Sequence, residues 1–237
     1  MTDTQRKPHR HGKAKVLIVD DHPTLRYGLT QLINQEPDLT LCGEAEDVRE
    51  AFEAIEEKQP DIVIVDISLK SSNGLQLIQM IKEKHADLPV LVLTMHDESV
   101  YAERALRAGA RGYIMKQEAT GKVTGGIRKV LNGEIFVSDR MAQKMIEGFI
   151  DNGSRNSESP LARLTDREME VLRLTGQGMG TREIAEALNL SRKTIESHYA
   201  KIKGKLNLSS AKELFQYALE WKHHTSGSTT PPWTRTS

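Results

Sequence analysis

Five side chains spread along the first half of this chain have the types that phosphoryl chemistry uses: Asp20, Asp21, Asp66, Thr94 and Lys116. Asp20 and Asp21 are adjacent in "VLIVDDHP", where four apolar residues run straight into two like charges. Carboxylates at one site repel, which points to a cation between them. A hard ion that accepts carboxylates, carbonyls and water suits such a pair, and magnesium is the expected cofactor. Asp66 supplies a third carboxylate that can also attack phosphorus, becoming an aspartyl phosphate. The expected ligands are Asp20, Asp21, Asp66 and the backbone carbonyl of Ser68, with the ion offsetting charge on the phosphoryl oxygens. Lys116 would pair with one of those oxygens and the Thr94 hydroxyl would donate to another. Taken singly, each has a plainer reading: an Asp or Thr at a strand end commonly caps or turns the chain, and a lone Lys is a solvated charge.

Position is what joins them. Short apolar runs, "KVLIVD" (15–20), "LTLCGEA" (39–45), "DIVIVD" (61–66), "PVLVLT" (89–94) and "RGYIMK" (111–116), alternate with amphipathic stretches. Continuous apolar runs read as strands covered on both faces. Between them, helical periodicity is expected over 23–35, 48–58, 74–84, 98–108 and 121–131. Five strand–helix units give an α/β fold, a flavodoxin-like, doubly wound, five-stranded parallel sheet. Ligands of such sheets gather beyond the carboxyl ends of the strands. Asp20 with Asp21, Asp66, Thr94 and Lys116 close the first, third, fourth and fifth runs, so three acids, a hydroxyl and an ammonium meet at one edge.

Composition narrows the alternatives. The 237 residues are 38% hydrophobic and 28% charged, as in ordinary globular proteins. No apolar run approaches the roughly 20 residues that cross a bilayer, and the basic start lacks the apolar core of a secretory signal; a cytoplasmic location is expected. The one cysteine, Cys42, excludes an internal disulfide framework and a cysteine-built zinc site, and reads as a small strand residue. The formal net charge of zero hides an asymmetry: 16 basic against 22 acidic residues over 15–147, but 11 against 8 over 161–222. Segregated charge points to two domains with different partners.

The stretches "VLIVDDHPTLRYGL", "IVIVDISL", "VLVLTMHDE" and "ALRAGARGYIMK" resemble the receiver domain of two-component response regulators, over about 15–135. The resemblance implies that a sensor histidine kinase supplies the phosphoryl group and that Asp66 accepts it. It also makes Tyr113 the switch aromatic, which turns inward as Thr94 moves toward the phosphate; as a residue, Tyr113 reads equally as half-buried strand. Ser68 and His96 lie where the family tunes phosphate lifetime; His96 either steers the hydrolytic water or is exposed without a role. One departure is Lys70, where the family usually has a proline that stiffens the loop.

Beyond 138–150, an amphipathic segment, "DNGSRNSESP" reads as linker. The expected organisation is a disordered basic arm (1–14), a receiver (15–137), a connecting helix and linker (138–160), an all-helical module (161–222) and a disordered tail (223–237). In the module, Thr165 with Glu168 forms a capping box and the glycines of "GQGMG" end the first helix. "TREIAEAL" is a short second helix, and Ser191 caps a third that runs to Leu206. This is the helix-turn-helix pattern, whose latter helix enters a major groove. Ile195, Tyr199, Ile202 and Leu206 fall on the buried stripe, while Lys193, Glu196, Ser197, Ala200 and Lys201 point away. Five basic residues against one acid between Arg192 and Lys205 suit phosphates.

The segment resembles the LuxR-type helix-turn-helix, and its union with a receiver is the NarL/FixJ arrangement. The resemblance implies double-stranded promoter DNA as partner and pairing of two copies. It places Arg192, Lys193, Thr194, Glu196, Ser197, Ala200, Lys201 and Lys203 on DNA. Glu196, Ser197 and Ala200 depart from the family's often basic or bulky residues, so modest base readout is expected. A last helix carries Leu214, Phe215 and Ala218 on one stripe, partly core and, by resemblance, partly a dimer surface.

The expected function is a transcription factor switched by phosphorylation, with homodimers when phosphorylated or DNA-bound, and no enzyme beyond accepting and slowly losing its own phosphate. A haloacid-dehalogenase type of enzyme also forms an aspartyl phosphate, but its nucleophile ends the first strand with a second acid two positions on, which "DDHP" does not match. A receiver acting through protein contacts alone, with weak or absent DNA binding, is the competing class.

Overall fold

The computed structural model describes residues 12–69, 73–150 and 160–225. The arm through residue 11, the loop 70–72 with Lys70, the linker 151–159 and the tail beyond 225 lie outside the described residues. Chain contacts divide the protein into two units, residues 1–145 and 146–237.

The first unit is a five-stranded parallel sheet in the order β2-β1-β3-β4-β5: β1 (Ala14–Val19), β2 (Leu39–Ala45), β3 (Ile62–Val65), β4 (Val90–Thr94) and β5 (Gly112–Met115). Val16–Val19, Ile62–Val65 and Val90–Leu93 are buried, as parallel strands sandwiched by helices must be. Helices α1 (Pro23–Gln35), α2 (Val48–Lys58), α3 (Gly74–Lys84), α4 (Glu98–Ala108) and α5 (Ala119–Leu131) connect the strands, and α6 (Asp139–Ile150) follows. Side chains set several of their starts: Asp47 accepts from Glu50 N, Asn73 from Leu75 N and Asp97 from Ser99 N. Helix α5 begins two residues before the glycine where the sequence places its start, after a 3-10 turn over Lys116–Glu118. Lys116 therefore opens that turn instead of closing β5. The outer edge of β5 is covered by Phe136: Tyr113 N donates to Phe136 O at 2.7 Å and Phe136 N to Arg111 O at 2.9 Å, which leaves that strand edge paired.

Among the described residues, the second unit holds the end of α6 and then α7 (Asp166–Gly176), α8 (Thr181–Ala187), α9 (Arg192–Leu206) and α10 (Ala211–Thr225). The expected capping box at Thr165 and Glu168 is present. Ile195 and Ile202 are buried on α9, whereas Tyr199 and Leu206 are only partly covered. On α10, Leu214 and Ala218 are buried with Trp221, which the periodicity reading passed over. Phe215 is 42% exposed and so lies outside the core stripe. The helix also continues to Thr225, three residues into the stretch expected to be tail. Gly176 fits where a Cβ would stand 2.4 Å from Ala218 O, so α7 and α10 pack backbone to backbone there.

Glu168 does more than cap. Its Oε2 accepts from Thr165 N at 2.7 Å and from Lys205 Nζ at 2.6 Å, with its side chain 3% exposed, tying the start of α7 to the end of α9. Burial pushes the Glu168 pKa up, but the bonds from Lys205 and Thr165 outweigh it and hold the carboxyl below its usual range. Lys205 is 35% exposed, so without Glu168 its ammonium turns to water and the main loss is the capping-box acceptor for Thr165 N. We expect Glu168→Ala to destabilise this unit by about 1 kcal/mol in chemical denaturation. Because the folded pKa is depressed, the pair's stabilisation is present above the ordinary carboxylate pKa and fades as pH falls through the folded value. The difference between wild type and variant should accordingly shrink in acid.

Candidate functional site

The strand ends bring the sequence's chemical residues into one buried cluster. Asp66 follows β3, and its backbone N donates to Val19 O at 2.9 Å, setting it beside the Asp20 and Asp21 that follow β1. Asp20, Asp21 and Asp66 are buried, with relative exposures of 2%, 7% and 2%. Ser68 N donates to Asp66 Oδ1 at 3.1 Å and fixes the direction of that carboxylate. Gly74, opening α3, is needed because a Cβ there would sit 2.1 Å from Asp66 O and 2.7 Å from Ile67 Cα; any larger residue would push on the acceptor's own backbone.

Lys116 supplies the positive charge missing from the neighbourhood of the acid pair in sequence. Its Nζ lies 2.7 Å from Asp20 Oδ2 and 2.5 Å from Asp66 Oδ2, with its side chain 7% exposed. His22, which sequence reasoning overlooked, adds a second nitrogen: Nδ1 is 3.0 Å from Asp20 Oδ1 and 2.8 Å from Asp21 Oδ1. The signal was available, since His22 directly follows the pair in "DDHP". Burial raises the Asp66 pKa, and Asp20 adds to it, while Lys116 and Thr94 pull it down; the balance is upward. Burial lowers the Lys116 pKa, but Asp66 and Asp20 reverse that and the ammonium is held charged.

One ligand atom from each of Asp20, Asp21, His22 and Asp66 lies within 4.8 Å of the others. Asp21 Oδ1 is buried without a hydrogen bond of good geometry, its contact being the His22 ring nitrogen at 2.8 Å. The three carboxylates fit a hard divalent ion, whereas the exposed His22 imidazole is not a donor such an ion favours. The described contacts of Ser68 involve its N–H, its hydroxyl and its bridge to Asn73.

Thr94 is wholly buried, and its Oγ1 makes no hydrogen bond of good geometry while lying close enough to Asp66 to stabilise its charge. Tyr113 is 2% exposed and turned inward, its hydroxyl donating to His96 O at 3.0 Å. Burial drives the Tyr113 pKa well up, so the phenol stays a donor. His96 corrects one expectation: it is buried, not exposed without a role. Its Nε2 is 2.6 Å from Ser68 Oγ, and its ring stacks on Tyr101 with centroids 4.3 Å apart.

In the second unit, Ser191 caps α9 by accepting from Thr194 N. Arg192, Lys193, Glu196, Ser197, Ala200 and Lys201 are described on this helix; Arg192, Lys193, Glu196, Ser197, Ala200 and Lys201 are exposed together, and Lys203 is partly exposed. Thr194 is partly buried and its hydroxyl is already shared with Ser191 Oγ at 2.8 Å, so it first serves the cap. Half-buried His198 lies on the same helix; burial, with Lys201 and Arg167, lowers its pKa and favours the neutral ring.

Comparison with known proteins identifies both units. The model of the response regulator receiver domain matches residues 16–128. That of the bacterial regulatory proteins of the luxR family matches 162–218. The oxygen regulatory protein NreC of Staphylococcus carnosus is 36% identical over 212 residues, spanning 88% of this chain and 98% of that protein. RcsB of Salmonella enterica serovar Typhimurium, solved bound to promoter rprA in the presence of the phosphomimetic BeF3−, is 27% identical, with TM-score 0.58 over 88% of this chain and 99% of that one. A further RcsB structure, of two dimers bound to two parallel DNAs, is also 27% identical, with TM-score 0.53 over 87% and 98%.

The chain belongs to the response regulators of the NarL/FixJ type: a receiver domain joined to a LuxR-type DNA-binding domain, and a transcription factor by class. Among the described residues no helix is long and apolar enough to cross a membrane.

Proposed function

We propose that Asp66 is the phosphoryl acceptor of this regulator and that its phosphorylation controls DNA engagement by α9. The observation that carries the reading is the convergence of Asp20, Asp21 and Asp66 within ligand distance of one another, beside the ammonium of Lys116. An Asp66 carboxylate oxygen attacks the phosphorus of a phosphohistidine on a sensor kinase. The O–P bond forms as the N–P bond breaks, and the imidazole leaves with the electron pair and takes a proton from solvent. A bound magnesium ion, held by Asp20, Asp21, Asp66 and the Ser68 carbonyl, would neutralise charge on the transferring group. Lys116 exchanges a carboxylate partner for a phosphoryl oxygen, and the unsatisfied Thr94 hydroxyl donates to another. Slow loss of the phosphate to water, near His96 and Ser68, resets the site.

Phosphorylation adds roughly −1.5 to −2 charges at Asp66. Inward Tyr113, tied to the His96 carbonyl, belongs to the state this charge favours. The receiver is assigned to 15–137, the connecting segment to 138–160 and the DNA-binding module to 161–222. Homodimers form on DNA in the cytoplasm, with exposed Phe215 available for pairing on α10. Arg192, Lys193, Lys201 and Lys203 mainly hold the phosphate backbone, and Glu196, Ser197 and Ala200 face base edges.

Genomic fragments selected with the phosphodonor-treated full chain provide the test. We expect their gel shift to strengthen with acetyl phosphate and magnesium, and to vanish near about 0.5 M salt. Failure to retain DNA in either state would favour action through protein contacts alone, a reading supported by Glu196 exposed on the groove-facing side of α9.

A further inference from the structure

The first turn of α4 grips the cap of α6. Ser138 is the residue before α6: its Oγ accepts from Met141 N at 3.1 Å and its carbonyl from Ala142 N at 2.9 Å. Ser138 also donates twice to Glu98, from its backbone N to Oε1 at 2.8 Å and from its hydroxyl to Oε2. Both oxygens of one carboxylate are thus engaged, in charge-assisted bonds, the stronger kind.

Glu98 begins α4 directly after the loop 95–97, which leaves the end of β4 at Thr94 and contains His96. That loop is anchored by the bond from the Tyr113 hydroxyl to His96 O and by Asp97, whose side chain caps Ser99. A movement of Thr94 toward a phosphoryl oxygen displaces the loop's far end as a short, stiff segment, because its middle is stapled to Tyr113. Neither Glu98 nor Ser138 touches the acidic cluster.

We infer that Glu98 is a positioning residue that couples the Thr94–His96 loop to the amino end of α6, so that the state with Tyr113 inward is also the state in which α6 is held at its cap. The inference rests on phosphorylation of Asp66 as proposed above. Coupling between two sites is reciprocal and commonly amounts to about 5- to 150-fold. The clamp therefore passes on part of the phosphorylation signal, and losing it disconnects the signal while sparing the chemistry.

Full-length wild type, Glu98→Ala, Glu98→Gln and Ser138→Thr separate these parts. Glu98→Ala leaves the Ser138 cap on Met141 intact, so a change in response is not a lost helix cap. With acetyl phosphate and magnesium, we expect Asp66 labelling in Glu98→Ala to stay within about twofold of wild type, while the phosphorylation-dependent gain in DNA affinity falls about fivefold or more. Wild-type amide exchange at Met141 and Ala142 should slow on phosphorylation, and in Glu98→Ala it should not respond. Glu98→Gln, which keeps an acceptor without the charge, should fall between, and Ser138→Thr, which keeps the hydroxyl, should retain the wild-type response. A labelled Glu98→Ala protein with the full wild-type gain and exchange response would overturn the clamp. Wild type left unlabelled at Asp66 would overturn the switch itself, and the clamp with it.

Discussion

Replacing Asp66 with asparagine should remove all donor-dependent labelling and leave DNA affinity indifferent to phosphodonor. The amide oxygen replaces only one of the two carboxylate oxygens and can go on accepting from Ser68 N, which bonds Oδ1 at 3.1 Å; Lys116 Nζ, 2.5 Å from Oδ2, loses that acceptor but keeps Asp20 Oδ2 at 2.7 Å. The substitution also takes one negative charge from a cluster in which burial and Asp20 already oppose ionisation of this residue. The fold should therefore persist, with a thermal midpoint close to that of wild type. An amide nitrogen has no lone pair to offer phosphorus, and the amide oxygen is far less nucleophilic than a carboxylate, so loss of chemistry is complete. Intact-mass measurement after treatment with acetyl phosphate and magnesium reads the outcome directly. Equal mass gain in wild type and Asp66→Asn would assign the phosphate to a different residue and remove the trigger of the switch.

Triple replacement of Lys193, Lys201 and Lys203 by alanine should weaken DNA binding roughly 100-fold near 0.15 M salt and flatten the slope of log affinity against log salt by about 2 to 3 units. Each lysine that releases a condensed counterion contributes just under one unit to that slope, and the loss is the same on every sequence. Base readout should be modest in comparison. Ser197 and Ala200 offer small side chains to the groove, Thr194 is committed to its cap with Ser191, and Glu196 can accept from a cytosine amino group only while facing phosphate repulsion. Single base substitutions in a half-site should cost less than the usual ~1–3 kcal/mol. Binding titrations over a salt series and over a set of substituted operators check both statements. A steep penalty at individual bases would show that the helix reads sequence through contacts these residue types do not provide.

Much of the receiver was legible because its signals are local. Apolar runs of strand length, each ending in a polar residue or a turn, located all five strands to within a residue or so. Thr165 and Ser191 marked helix starts, because a side-chain oxygen beside unpaired backbone N–H groups needs no tertiary context. The stripes of α9 and α10 were less legible. Periodicity assigns a face to Tyr199, Leu206 and Phe215, but only the number of helices packed around them decides how deeply each is covered. A module of four short helices has too little interior to bury every residue on a stripe, so Phe215 remains exposed and Trp221 fills the core in its place.

The candidate site divides in the same way. Which residues could hold a cation and accept a phosphoryl group was written in the chain, since residue type sets donor chemistry and strand ends set the common edge. Their mutual neutralisation was not. Lys116 follows β5, which β3 and β4 separate from β1 in the sheet, and only the fold carries its ammonium back to both Asp20 and Asp66. Ring placement puts His22 on the two acids that precede it. His96 lies under Tyr101 and against Ser68, and Glu98 on Ser138, through packing between elements distant in sequence. Charge, size and hydrogen-bonding capacity belong to a residue before the chain folds. Distance and burial belong to the fold, and they decide which of those capacities are paired and which, like the Thr94 hydroxyl, are left without a hydrogen bond of good geometry.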